Sequence, residues 1–194
     1  MRVLNRIGAV ALAGTLAVIS ATTAQAAPIT ATGAVALIGV TANPVGSISL
    51  GTTFTFAYTL FSDGTGALSI VPTGSALTTQ SITATIGMPV QFTADWGSFQ
   101  GTVTSATYQG PASNRVVKTT AMGIFTPLAG PPDLTTFDPG PMNLTFSATQ
   151  TGGPHGSVSA SYTIASVAVP EPLVLSLLGV GMGATAIARY RRRS

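Results

Sequence analysis

The sequence predicts an all-β fold: an antiparallel β-sandwich or jelly-roll-like body, residues 27–169, set between two apolar terminal segments. Three observations lead there. From Ala27 to Val169, aromatic and aliphatic residues alternate with Ser and Thr at a period of two, the spacing at which successive strand side chains face opposite sides. Clusters of Gly, Pro and Asp interrupt the alternation often enough for roughly eight or nine short strands. No part of the body carries the periodicity of an amphipathic helix. A disordered Ser/Thr-rich stalk is the rival, but here the hydroxyls alternate with aromatics instead of clustering with proline.

In chain order, residues 1–26 come first. Arg2 and Arg6 precede an apolar run, Ile7–Ile19, and Ala24 and Ala26 supply the small-x-small pattern of a signal peptidase site. A secretory signal peptide ending at Ala26 is therefore expected. No adjacent arginine pair precedes the run, which favours the general over the twin-arginine export route.

In the body, "TFTFAYTLF" places Phe54, Phe56, Tyr58 and Leu60 on one face of a single strand, with Thr53, Thr55 and Thr59 on the other. Asp63-Gly64 reads as a tight turn, with Ala67–Val71 returning antiparallel. Ser81–Ile86, Val90–Ala94, Phe99–Tyr108 and Val116–Phe125 read as further strands. Arg115 and Lys118 suit a strand edge, where a charge blocks pairing with another chain. Pro127–Pro141 is too rich in proline to pair and reads as a loop. Met142, Leu144 and Phe146, then Val158, Ala160, Tyr162 and Ile164, face inward on a last hairpin closed by a Gly- and Pro-rich connection.

Residues 170–194 change character. Pro170-Glu171-Pro172 leads into an uncharged apolar run, Leu173–Ala188, followed by Arg189, Arg191, Arg192 and Arg193. As a transmembrane helix over 173–188 this run is about 24 Å long, a little short of the roughly 30 Å hydrocarbon core. Tyr190 at the interface and arginines reaching for headgroups make up the difference. Pro170 and Pro172 cannot extend a helix backwards, so this segment is expected to stand extended at the membrane surface. Basic flanks stay cytoplasmic, which places the body across the inner membrane.

Pro170-Glu171-Pro172, a short apolar helix and a closing "RYRRRS", in that order and behind an N-terminal secretion signal, resemble the PEP-CTERM sorting signal of bacterial exported proteins. The resemblance covers about the last 26 residues. It implies recognition by an exosortase, a membrane-embedded, cysteine transpeptidase-like enzyme that cuts near Pro170–Pro172. It further implies release or re-attachment at the cell surface of a Gram-negative bacterium, in association with exopolysaccharide and biofilm matrix. The physics is consistent: an extended peptide offers its backbone to a cleft, and a membrane helix holds it at high effective concentration beside a membrane-bound enzyme. The expected partners are signal peptidase and exosortase during export, the membrane before processing and extracellular polysaccharide afterwards. A plain tail anchor with a proline hinge is the alternative.

Composition narrows the chemistry. Only 7% of residues are charged, against roughly 25% in a typical domain. The net +3 resides in the ends: between Ala27 and Val169, Arg115 and Lys118 stand against Asp63, Asp95, Asp133 and Asp138, so a nucleic-acid partner is not expected. With no cysteine, the chain has no disulfide, thiolate metal site or cysteine nucleophile. His155, the single histidine, reads as a solvated loop residue in preference to a metal ligand or triad member. Asp63, Asp133 and Asp138 have oxygens for calcium but lack EF-hand spacing, and turn formation is the simpler role. The body has no glutamate before Glu171 to furnish a glycosidase pair. No catalytic residue, cofactor or metal is expected. Trp96, in "ADWGSF", reads first as a core residue, the usual place of a lone tryptophan in a β domain, with stacking on a sugar ring, next to Phe99, as the alternative. Asn143-Leu144-Thr145 matches a glycosylation pattern that says little on a strand. The sequence thus supports a non-enzymatic surface or matrix protein, with a carbohydrate-binding module as the second reading.

Overall fold

Alternation in the sequence becomes alternation in burial. Met142, Leu144, Phe146, Ala148 and Gln150 are all buried, while the residues between them are half-exposed. The structure, a computed structural model, describes residues 28–167. Ala24, Ala26, Pro170-Glu171-Pro172, the 173–188 segment and the terminal arginines lie outside the described residues.

The strands are β1 (Ala31–Ile38), β2 (Thr41–Asn43), β3 (Thr53–Thr55), β4 (Tyr58–Gly66), β5 (Ala76–Thr79), β6 (Ile82–Thr83), β7 (Pro89–Ala94), β8 (Gly97–Gln109), β9 (Asn114–Pro127), β10 (Gly140–Thr151) and β11 (Ser157–Ser166). Eight of them close into an antiparallel barrel in the order β1-β11-β10-β9-β8-β7-β5-β4, with β4 returning to β1. Each barrel strand therefore neighbours the one before it in the chain. The others, β2, β3 and β6, leave the barrel wall and form a separate three-stranded sheet.

The all-β expectation holds, but the sheet closes on itself instead of splitting into the two layers of a sandwich or jelly-roll. The inward residues explain closure. Eight strands enclose a space that side chains just fill, and here aromatic rings fill it. Phe92 stacks on Phe99 at 5.7 Å and on Tyr162 at 6.1 Å. Closure also removes most free sheet edges, the usual aggregation hazard of β proteins.

Cross-strand glycine pairs make the curvature possible. Gly33 faces Gly64 between β1 and β4, and Gly101 faces Gly123 between β8 and β9. A Cβ on Gly33 or Gly64 would come within 2.9 or 2.7 Å of the Phe61 ring. One on Gly101 would lie 2.7 Å from Phe99 Cζ. In each case a phenyl ring lies over bare backbone, which lets the strands coil tightly at a corner.

Several local expectations are corrected. The stretch 53–61 is two strands: β3 ends at Thr55, β4 starts at Tyr58, and Ala57 N–H donates to the Ile38 carbonyl between them. They belong to different sheets, so the facing parity changes across the break. Phe54 is buried as expected, but Thr59 and Phe61 point inward while Tyr58 stands 69% exposed. Asp63-Gly64 is not a turn. The β4 strand continues through it to Gly66 with a bulge opposite Ala34/Val35, and the return begins with a 3-10 turn, Ala67–Ile70, that buries Leu68. Of Ser81–Ile86, only Ile82–Thr83 pairs. Arg115 and Lys118 sit on β9, which pairs with β8 on one side and β10 on the other, so neither guards an edge. The final hairpin is as expected, with Leu144 opposite Ile164 and Phe146 opposite Tyr162.

The barrel has two distinct ends. At one, the 3-10 turn, the two-residue β7–β8 turn and the proline-rich 128–139 connection converge, and Leu134 from that connection is fully buried. At the other, the β2-β3-β6 sheet folds over the mouth, with Phe54 5.0 Å from Phe146. Gln150 ties this cover down: its Oε1 accepts from Ile48 N–H at 3.0 Å, and its Nε2 donates to the Gly46 carbonyl at 2.6 Å.

Candidate functional site

Of the two positions the sequence allows Trp96, the core or a sugar platform, the structure shows the core. Trp96 occupies the second position of the β7–β8 turn, and its side chain turns back into the barrel, 1% exposed. Phe61 packs edge-on at 5.5 Å, with Phe125 at 5.9 Å and Phe92 at 6.1 Å. Gly97 makes room for this cluster, since a Cβ there would lie 2.2 Å from Phe125 Cζ. A stacking platform needs an open ring face, and Trp96 has none.

The ionisable residues fall at opposite ends. Asp95 lies in the β7–β8 turn, Asp133 and Asp138 in the 128–139 connection, and Asp63 on the part of β4 that pairs with the start of β1. Arg115 and Lys118 lie near the β8–β9 tip, and His155 is in the adjacent β10–β11 loop. Asp133 behaves as a turn former: Thr135 N–H and Oγ1–H both donate to it, at 2.8 and 2.7 Å, and these bonds hold its carboxyl below the usual carboxylate range. His155 is exposed with φ of 69°. No three His, Cys, Asp or Glu side chains among the described residues gather as a metal site would require.

Tyr162 is a buried titratable group in the barrel interior, 1% exposed, with its hydroxyl 2.9 Å from Thr79 Oγ1. Burial raises its pKa well above the ordinary value near 10, the Thr79 bond opposing this only in part. The unfolded chain then releases this proton as pH passes about 10 while the folded chain keeps it, so stability is intact below that pH and falls above it. The slope is about 1.4 kcal/mol per pH unit for one phenol. Urea unfolding from pH 8 to 11.5 is expected to show this decline, and Tyr162→Phe is expected to reduce it by that amount. Equal slopes in the two proteins would overturn the assignment.

On the outer wall, the bulge between β1 and β4 produces a feature that sequence reasoning missed. A notch of about 240 Å³ opens there, lined by Thr32, Asp63, Thr65 and Thr163 over the Gly33–Gly64 pair. Thr163 pairs with Ala34, and Ala34 with Asp63, so a short side chain forms the floor between a hydroxyl and a carboxylate. Gly64 N–H donates to Asp63 Oδ1 at 2.8 Å and orients that carboxylate. Beside the notch, four cross-strand hydroxyl pairs run along β10 and β11, from Thr145/Thr163 to Thr151/Ser157. Further along β4, Tyr58 stands opposite Ile38, and both are exposed. A second hollow, about 340 Å³, lies over the seam where β5 pairs with each neighbour through only two residues.

The signal that would have exposed this wall is Gly64 together with Gly33. Glycines inside strands mark a close backbone approach or a bulge, and the bulge is what sets Asp63 outward. No helix among the described residues is long and apolar enough to cross a membrane. No known protein family, curated protein or solved structure matches the chain.

Proposed function

We propose that the chain is an exported surface or matrix protein: a non-catalytic β-barrel delivered by a signal peptide and sorted through its Pro-Glu-Pro segment by an exosortase. The observation that carries this reading is the ordered set of Pro170-Glu171-Pro172, apolar run and arginine cluster behind an N-terminal secretion signal. The fold supports it. Pro28 bridges to Asp138, and Val167 N–H donates to the Pro141 carbonyl, so both chain ends leave the barrel at the end that carries the aspartates. The sorting motif begins only three residues after Val167. A body built this way hangs by one end and leaves its wall and far end free.

Changing Pro170, Glu171 and Pro172 together to alanine is expected to leave uncut precursor in the inner membrane, while the unaltered protein is trimmed. Immunoblots of membrane and extracellular fractions, with mass spectrometry of both ends of the mature chain, give the readout. Normal trimming of the triple variant would overturn the sorting role.

A further inference from the structure

We propose that the outer wall of β1, β4 and β11 binds an uncharged polysaccharide, with Tyr58 as the stacking platform and the Asp63 notch as the polar anchor. The inference rests on the exported-surface reading for where such a polymer would be met; the binding itself is a property of the wall.

The chemistry of the wall selects the ligand. A carboxylate held by Gly64 N–H keeps an oxygen free to accept hydroxyl protons, and threonine hydroxyls both donate and accept. Thr32, Thr65 and Thr163 stand on three adjacent strands that pair through β1, and Thr32 and Thr65 face each other with their hydroxyls hydrogen-bonded, so they are held without further ordering. The notch, at about 240 Å³, is smaller than the roughly 300–1,000 Å³ of pockets that enclose a whole drug-sized ligand, and suits one ring of a longer polymer. Tyr58, 69% exposed, offers the open aromatic face that Trp96 lacks. From Asp63 to Tyr58 the strand covers roughly 16 Å, a span that a chain of rings bridges and a single sugar does not.

Charge excludes the other class of polymer. Asp63, Asp95, Asp133 and Asp138 all lie in the half of the barrel that carries the notch, so uronate- or sulfate-bearing chains are repelled from the polar anchor. The cations Arg115 and Lys118 are at the opposite end, where an anionic polymer would go instead. The hollow at the β5 seam is the weaker candidate, because its wall is a sparsely paired joint with no exposed aromatic ring in its lining.

The test is native affinity electrophoresis of the full chain in detergent, through gels containing galactomannan, hydroxyethylcellulose or alginate. Retardation by one or both neutral polymers and not by alginate is expected. Tyr58→Ala and Asp63→Asn are each expected to raise the apparent Kd about tenfold. Tyr108→Ala, an exposed tyrosine on β8, is expected to leave it unchanged. No retardation by either neutral polymer, or retardation untouched by both wall variants, overturns the proposal. Retardation by alginate alone, lost in Lys118→Ala, overturns it in favour of an anionic ligand at the far end. Processing of the wall variants in cells reports separately on sorting: a precursor that binds galactomannan but is never trimmed sinks the exported reading and leaves the wall's binding intact.

Discussion

Trp96→Ala is expected to destabilise the protein by about 4 kcal/mol, within the range for truncating a large buried aromatic. Trp96 closes the barrel end against Phe61, Phe92 and Phe125, and its removal strips those three rings of a packing partner and leaves a cavity among them. One term offsets the loss slightly, since Trp96 Nε1–H is buried without a partner and its desolvation cost disappears with the ring. Against a total stability of roughly 5–15 kcal/mol this is a large fraction. The chain has a single tryptophan, so unfolding is best followed by far-UV circular dichroism in urea. Tyr58→Ala, on the surface, is the control, expected within about 0.5 kcal/mol of the unaltered protein. A loss under about 1 kcal/mol for Trp96→Ala would mean that the ring is not part of the core.

Gly123→Ala is expected to cost about 3 kcal/mol, the upper part of the range for overpacking, and to lower the melting temperature by about 10 °C. The added methyl would lie 2.2 Å from the Gln100 carbonyl oxygen and 2.5 Å from Gly101 Cα. Both are backbone atoms of the neighbouring strand, so no rotamer change relieves the contact and β8 must move away from β9. Hydrogen exchange should show the damage locally, with faster exchange at the β8–β9 amides than at β10–β11. A variant as stable as the original would mean that the corner has slack, and that Gly101 and Gly123 do not set the curvature of the wall.

How much of this was readable in the sequence depends on how local the cause was. The β10–β11 hairpin was legible to the residue, because alternation alone decides it: Leu144, Phe146, Tyr162 and Ile164 are inward by parity, and a short loop fixes the register. The proline-rich connection was legible as unpaired only in its middle: of Pro127–Pro141, Pro127 ends β9 opposite Gly97, Gly140 and Pro141 open β10 opposite Phe125 and Ile124, and Asp138 bridges to Pro28. The break at Phe56–Ala57 was not, because the local pattern 53–61 is unbroken and only the departure of β3 into another sheet interrupts it. That single shift moved Tyr58 from the expected core to the surface. The core position of Trp96 agrees with its reading as a lone tryptophan in a β domain, but its place in the β7–β8 turn was not legible: a turn position normally means exposure, and the aromatic interior draws this side chain back in. Barrel and sandwich share the same alternation, and what distinguishes them is the β1–β11 pairing of the first and last wall strands, a contact that no local pattern encodes.

The chain's two exits leave from adjacent strands, β1 and β11, which pair antiparallel. Tension drawn between the two ends therefore pulls across that ladder like the two sides of a zipper. The bonds open singly and in succession from the Thr32–Ala165 end. A body with a densely packed interior is thus built to part along one line under load.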